Sequence, residues 1–144
     1  MPAAHPGPVV SGPTRFVSPG PHSGFYWTSG ADGVLRVMGC IACGRLHHPP
    51  GPVCPYCHSR ELSPVAVSGR GTLAAFTVNH QPFLPGFDPP YAFGFVELDE
   101  DPSIRISTNI VNCPLDAIRI GMPLRVLFEP CGEYHVPLFE PVES

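Results

Sequence analysis

The sequence predicts a mainly β chain: a rubredoxin-like zinc ribbon followed by a five-stranded OB-fold barrel, with a short helical segment ahead of the ribbon. Three observations point that way. Cys40 with Cys43 and Cys54 with Cys57 form two Cys-x-x-Cys pairs separated by ten residues. Among 144 residues, 21 prolines and 15 glycines work against long helices and favour turns, short strands and irregular segments. Beyond residue 63, apolar residues recur at every second position in short runs broken by turn residues, the period of a half-buried strand.

Residues 1–21 (MPAAHPGPVVSGPTRFVSPGP) hold little to bury and predict an extended or mobile arm, with Arg15, Phe16 and Val17 as its anchors. Residues 22–63 form the next unit, an aromatic segment plus the ribbon. Phe25, Tyr26 and Trp27 in succession are too apolar for a free loop. They suit either a helical turn ended by Gly30 or Gly33 and packed in the core, or an anchor for another subunit. Val34–Met38 then reads as a short strand entering the first Cys pair.

Each Cys-x-x-Cys pair places two sulfurs at the tip of a tight turn, where backbone N–H groups point at the thiolates. Two such knuckles close a tetrahedral shell around zinc and leave no position for substrate, so the metal is structural. Gly44 follows the second ligand, where a knuckle often needs a positive φ, and Pro49, Pro50 and Pro52 stiffen the return path. The competing readings are a pair of disulfides, a redox Cys-x-x-Cys, or a mixed site in which His47, His48 or His58 replaces a cysteine. The doubled spacing favours Cys40, Cys43, Cys54 and Cys57, with the histidines at the surface or behind the ligands. Cys113 and Cys131 have no partner motif and are expected as small buried residues, with exposure the alternative for Cys131, beside Gly132 in a loop.

Residues 64–144 predict the barrel. Pro64–Val67 is a short strand, and Gly71–His80 a longer one with Ala74, Phe76 and Val78 on one face. Gln81–Pro90 is a proline-rich loop carrying Phe83, Leu84 and Phe87. Tyr91–Asp99 is apolar at alternate and intervening positions, as expected of a strand covered on both faces. Ser103–Val111 alternates cleanly, with Ile104, Ile106, Thr108 and Ile110 on one side. Leu124, Val126 and Phe128 share a face of the next strand, and Tyr134–Phe139 is the last. Short strands in this number close most naturally into a barrel, because closure removes edges; a small sandwich is the alternative.

Charge narrows the function. The net charge is −4, every basic side chain other than histidine is arginine, and no basic run exists, so electrostatics do not favour a nucleic-acid surface. No apolar stretch reaches membrane-spanning length and no leader opens the chain, which together predict a cytoplasmic protein with reduced thiols.

The order of motifs resembles a known family. An aromatic segment precedes the two knuckles; Gly-Arg-Gly-Thr opens a strand, a Pro-Gly loop ends in Pro-Pro-Tyr, and Val-Glu-Leu-Asp-Glu closes the following strand. Asn-Ile-Val, Ile-Gly-Met-Pro-Leu-Arg-Val and Pro-Leu-Phe-Glu-Pro follow. From Phe25 to Pro141 this is similar to the zinc-ribbon/OB-fold proteins that accompany thiolase-like enzymes, domain-of-unknown-function family thirty-five. The resemblance implies a non-catalytic subunit that binds and stabilises a thiolase-like acyl-CoA enzyme. One branch serves an aldolase that cleaves a β-hydroxyacyl-CoA by retro-aldol chemistry during steroid side-chain degradation. A conventional thiolase or ketoacyl-synthase-like partner is the alternative, and a two-plus-two heterotetramer is the expected assembly. The CoA thioester would then be held mainly by the partner.

Candidate contact residues are Phe25, Tyr26, Trp27, Phe83, Leu84, Phe87 and Tyr91, since an apolar, proline-stiffened loop loses little entropy on docking. Arg45, Arg60 and Arg70 are candidates for CoA phosphates by the fork geometry of guanidinium. His80, Tyr91, Glu97, Asp99, Cys113 and His135 are the possible catalytic parts, but they form no recognisable nucleophile–base set. Two other classes stay open: a nucleic-acid-binding zinc-ribbon/OB protein, and a free-standing acyl-CoA carrier.

Overall fold

The computed structural model describes residues 20–81 and 90–142; the arm's anchors and the loop residues Phe83, Leu84 and Phe87 lie outside them. The aromatic triplet forms a short helix, α1 (Gly24–Thr28), which runs into a 3-10 turn at Ser29–Asp32. Gly33 ends it at a φ of 81°, its N–H donating to the Gly30 carbonyl at 2.9 Å. Arg36 then ties the turn to the strand that follows, donating to the Ser29 carbonyl at 3.0 Å and to the Asp32 carboxylate at 2.8 Å.

The ribbon is a three-stranded antiparallel sheet of β1 (Leu35–Cys40), β2 (Leu46–His47) and β3 (Leu62–Val67), in the order β2-β1-β3. The barrel follows as β4 (Arg70–Asn79), β5 (Tyr91–Leu98), β6 (Asp101–Ile110), β7 (Pro123–Cys131) and β8 (Tyr134–Pro141). It closes in the order β4-β5-β6-β8-β7, with β7 pairing back to β4 and β8 running parallel to β6 at Ile110 and Phe139. This is the five-stranded barrel that the alternation implied, except that Pro64–Val67, expected within residues 64–144, pairs with β1 in the ribbon.

The inner face is read from the register. On β6 the buried side is Ile104, Ile106, Thr108 and Ile110, as the alternation requires. On β4 the expected face of Ala74, Phe76 and Val78 is broken by a bulge between Leu73 and Ala75. Leu73 pairs with Val96 and Phe76 with Gly94, so both point inward although they lie three residues apart. A bulge adds one residue to one strand and breaks the period of two. On β5 the expectation of cover on both faces is wrong: Ala92, Gly94, Val96 and Leu98 are buried, whereas Phe93 and Phe95 are 40% and 38% exposed. The barrel covers only its concave side. Cys113 and Cys131 are also half-buried rather than buried, because one lies in the turn after β6 and the other in the β7–β8 hairpin.

Ribbon and barrel share one apolar core. Tyr26 of α1, Leu35 and Val37 of β1 and Val67 of β3 belong to the same buried cluster as Leu73, Val96, Ile106, Leu124 and Phe139. Gly30 lets the 3-10 turn lie against the Phe128 ring, in space a Cβ would occupy. On β5, a Cβ at Gly94 would stand 2.6 Å from the Ala75 carbonyl, so only glycine fits this close approach of β4. Among the described residues no helix is long and apolar enough to cross a membrane.

The seam between the two parts carries two histidines. His47 is 5% exposed, and neither of its nitrogens nor Nδ1 of His48 has a hydrogen-bond partner. The His48 ring lies 4.9 Å from that of Tyr26, which in turn meets Trp27 edge to face. Burial, reinforced by the adjacent His47, pushes His48 down to about 4. A free imidazole titrates near about 6.5, so between these values the unfolded chain binds a proton that the folded chain does not. Stability is therefore intact above the unfolded value and falls as pH drops toward the folded one. Urea unfolding between about pH 7 and about pH 5 should show the wild-type chain losing about 2 kcal/mol more than His48→Leu. Parallel curves for the two proteins would contradict a neutral buried His48.

Candidate metal centre

The two knuckles have the same local construction. In the first, Gly44 N–H donates to the Cys40 carbonyl at 2.8 Å and Cys40 N–H to the Arg45 carbonyl at 2.9 Å. In the second, His58 N–H donates to the Cys54 carbonyl at 2.9 Å and Cys54 N–H to the Ser59 carbonyl at 2.9 Å. Backbone N–H groups also approach the sulfurs, Cys43 N to Cys40 Sγ at 3.5 Å and Tyr56 N to Cys54 Sγ at 3.4 Å. Each turn needs one left-handed residue: Gly44 takes φ 79° and His58 takes φ 66°. His58 is thus explained by backbone geometry, as histidine is among the non-glycine residues found more often in that region.

The four sulfurs all lie within 4.8 Å of one another. Cys40 Sγ is 3.5 Å from Cys57 Sγ, and Cys43 Sγ is 3.7 Å from Cys54 Sγ. Zinc–sulfur bonds of about 2.3 Å would set tetrahedral sulfurs about 3.8 Å apart, so the donor set fits zinc in number, type and spacing. The thiols shift in opposite directions. Burial alone would raise the Cys54 thiol, but N–H groups of Cys57 and Tyr56 bring it down to about 7. Cys57 feels a lowering pull from Ser59 N–H, yet the neighbouring thiols Cys40, Cys43 and Cys54 push it up to about 12. Four thiolates this close repel one another unless a dication sits among them. Cys40 and Cys54 are buried while Cys43 and Cys57 are exposed, so the centre lies at the edge of the ribbon.

The other candidate residues are dispersed. Tyr26 is buried in the chain's own core, and Phe25 and Trp27 are half-buried against it. Tyr91 begins β5, its hydroxyl accepting from Asn79 Nδ2 at 2.6 Å. Arg45 lies over the Tyr56 ring at 4.6 Å within the ribbon, Arg60 follows the second knuckle, and Arg70 opens β4 across from Arg125. Among possible catalytic groups, Glu97 is paired with Arg105 at 2.9 Å, near the opposite end of β5 from Tyr91. Cys113 donates to the Pro114 carbonyl at 3.4 Å, and burial first, then Asp116, pushes its thiol up. His135 sits in the β7–β8 hairpin and His80 beyond the end of β4. His80, Tyr91 and the turn with Cys113 share one end of β4, β5 and β6, whereas Glu97 and Asp99 lie at the other end.

Sequence reasoning missed the outer barrel face. Phe93 and Phe95 stand edge to face with ring centres 5.8 Å apart. Together with Ala75, Phe76, Thr77 and Gly94 they line a groove of about 230 Å³. The spacing of Phe93 and Phe95 is the available signal, since residues two apart on a strand face the same side.

A four-cysteine ribbon joined through a shared core to a closed OB barrel defines the class: a zinc-ribbon/OB-fold protein. Family models agree, with the rubredoxin-like zinc ribbon domain of ChsH2 matching residues 27–63 and its C-terminal OB-fold domain matching residues 64–129. The ChsH2 chain of the solved Ltp2-ChsH2(DUF35) aldolase is 34% identical and superposes with a TM-score of 0.80, covering 88% of this chain and 98% of that one. The chain belongs to the DUF35 family. Among curated proteins, a probable enoyl-CoA hydratase alpha subunit of Thermomonospora curvata is 37% identical over 118 residues, 81% of this chain and 36% of that protein. The 3-oxo-4,17-pregnadiene-20-carboxyl-CoA hydratase alpha subunit of Mycobacterium tuberculosis is 32% identical over 119 residues, 83% and 37% respectively. The chain spans a little over a third of the length of these curated relatives.

If His58 serves only to turn the second knuckle, His58→Gly should relieve the strained φ and raise stability by about 1 kcal/mol, with metal content unchanged. Thermal unfolding alongside metal analysis checks this. Loss of metal from His58→Gly would show that the imidazole is a ligand after all.

Proposed function

We propose that this chain is a non-catalytic, zinc-binding accessory subunit of a thiolase-like acyl-CoA enzyme. Cys40, Cys43, Cys54 and Cys57 hold one structural zinc, and residues 22–63 and 64–144 act together as a single scaffold. The observation that carries the reading is the match to the ChsH2 chain of the Ltp2-ChsH2(DUF35) aldolase, which runs over nearly all of that chain at 34% identity. A chain that is alike over its whole extent presents surfaces of the same kind to a partner. The partner is an aldolase cleaving a β-hydroxyacyl-CoA by retro-aldol chemistry in sterol side-chain breakdown. A steroid acyl-CoA also stands in the name of the mycobacterial relative. The reaction needs a base and an oxyanion site, both supplied by the partner, which also holds most of the CoA. The assembly is a two-plus-two heterotetramer in the cytoplasm, with Arg45, Arg60 and Arg70 available to CoA phosphates at its border.

One observation favours a different class. Exposed Phe93 and Phe95 on an OB barrel are of the kind that stack on bases of single-stranded nucleic acid. Against this stand a net charge of −4 and the absence of lysine, since such sites combine stacking rings with a cationic groove.

Co-expression with a thiolase-like enzyme from the same organism separates the two. The expected result is a complex that co-elutes on sizing and cleaves a β-hydroxyacyl-CoA, with the enzyme insoluble or inactive when made alone. An enzyme fully active without this chain, and no co-elution, overturns the accessory role. Salt-sensitive binding of the chain to single-stranded oligonucleotides favours the second class.

A further inference from the structure

We infer that this chain seats on the apolar surface of its acyl-CoA enzyme partner through the Phe93–Phe95 face of β5 and the adjoining cleft at Ser107, Trp27 and Pro50. The inference rests on the accessory-subunit reading and names the surface that it uses. Phe93 and Phe95 are among the few large apolar side chains that stay exposed, at 40% and 38%. Their groove has a second hollow beside it. The second, of about 310 Å³, lies where α1 and the proline-rich return of the ribbon meet β6, and it is lined by Trp27, His48, Pro50 and Ser107. Ser107 pairs directly with Phe95 across β5 and β6, so the hollows are separated by one strand spacing, about 5 Å. They form one surface that spans ribbon and barrel.

The chemistry of that surface selects its occupant. Among the described residues no charged side chain lines either hollow, and burial keeps His48 neutral. The nearest guanidinium on β6, Arg105, is matched by Glu97 at 2.9 Å. Aromatic rings at the centre of a charge-poor patch, with hydroxyls and an ion pair at the rim, match the anatomy of a protein–protein interface. A nucleic acid or a CoA phosphate would instead call for unpaired cations. The ribbon's zinc has a part here as well. It fixes the return path that carries Pro49 and Pro50, and so holds one wall of the cleft against Trp27.

Two variants test the surface: Phe95→Asp on the open ring face, and Ser107→Arg, which places a charge between the hollows without removing an apolar group. Ile120→Asp, at a side chain 67% exposed outside both hollows, is the control. All three are checked for zinc content and thermal unfolding, then titrated as competitors for the tagged wild-type chain in the purified co-expressed complex. The expected result is binding weakened by at least about 30-fold in both face variants, with the control unchanged. Wild-type affinity in Ser107→Arg and in folded Phe95→Asp overturns the surface while leaving the accessory role standing. Absence of wild-type binding overturns the accessory role and the surface with it. A wild-type chain that dimerises alone, and turns monomeric in the face variants, overturns the assignment in favour of a second copy.

Discussion

Four sulfurs held within 4.8 Å of one another are the constraint from which the rest follows. As thiolates they repel one another, so the deprotonated set calls for a cation at its centre. The backbone is already arranged for that outcome: both knuckles aim N–H groups at sulfur and close with a left-handed residue. A structural zinc of this kind contributes on the order of 10 kcal/mol to folding. The ribbon needs such a contribution, because β2 is only two residues long and the sheet has three strands.

What the metal holds is also what the barrel packs against. β1 runs from the buried Leu35 and Val37, which belong to the common core, straight to the ligand Cys40. β3 returns from the second knuckle to Val67 and delivers the chain to Gly69, whose carbonyl accepts from Val126 N–H on β7 at 2.7 Å. Distortion at the cysteines therefore reaches the barrel through two strands. The same connection places α1, the proline return and β6 side by side, building an outer face from both halves of the chain.

Much of this was legible in the residues. The cysteine spacing named the centre, and the alternation of Ile104, Ile106, Thr108 and Ile110 named the inner face of β6, because both depend on local periods. The failures share a cause. The β4 bulge at Ala74 shifts a face by one residue with no mark in the hydrophobic pattern, and the exposure of Phe93 and Phe95 depends on which side of β5 the barrel covers. The side chain of His58 suggests a ligand, whereas its backbone conformation at φ 66° is what the knuckle uses. Tyr26 answers half of the question posed by the aromatic triplet. It is core, while Trp27 beside it still lines an open cleft.

The central claim is that a metal centre, rather than the ribbon's own apolar contacts, keeps the N-terminal half of the fold in place. Residue-resolved hydrogen exchange on the zinc-loaded and chelator-stripped chain tests it most directly, since exchange reports local opening strand by strand. If the claim holds, stripping the metal collapses protection across β1 and β3, at Val37 and Ala66 among others, while Val96 and Ile106 in the barrel keep most of theirs. Unchanged protection in β1 and β3 after complete metal removal would contradict it.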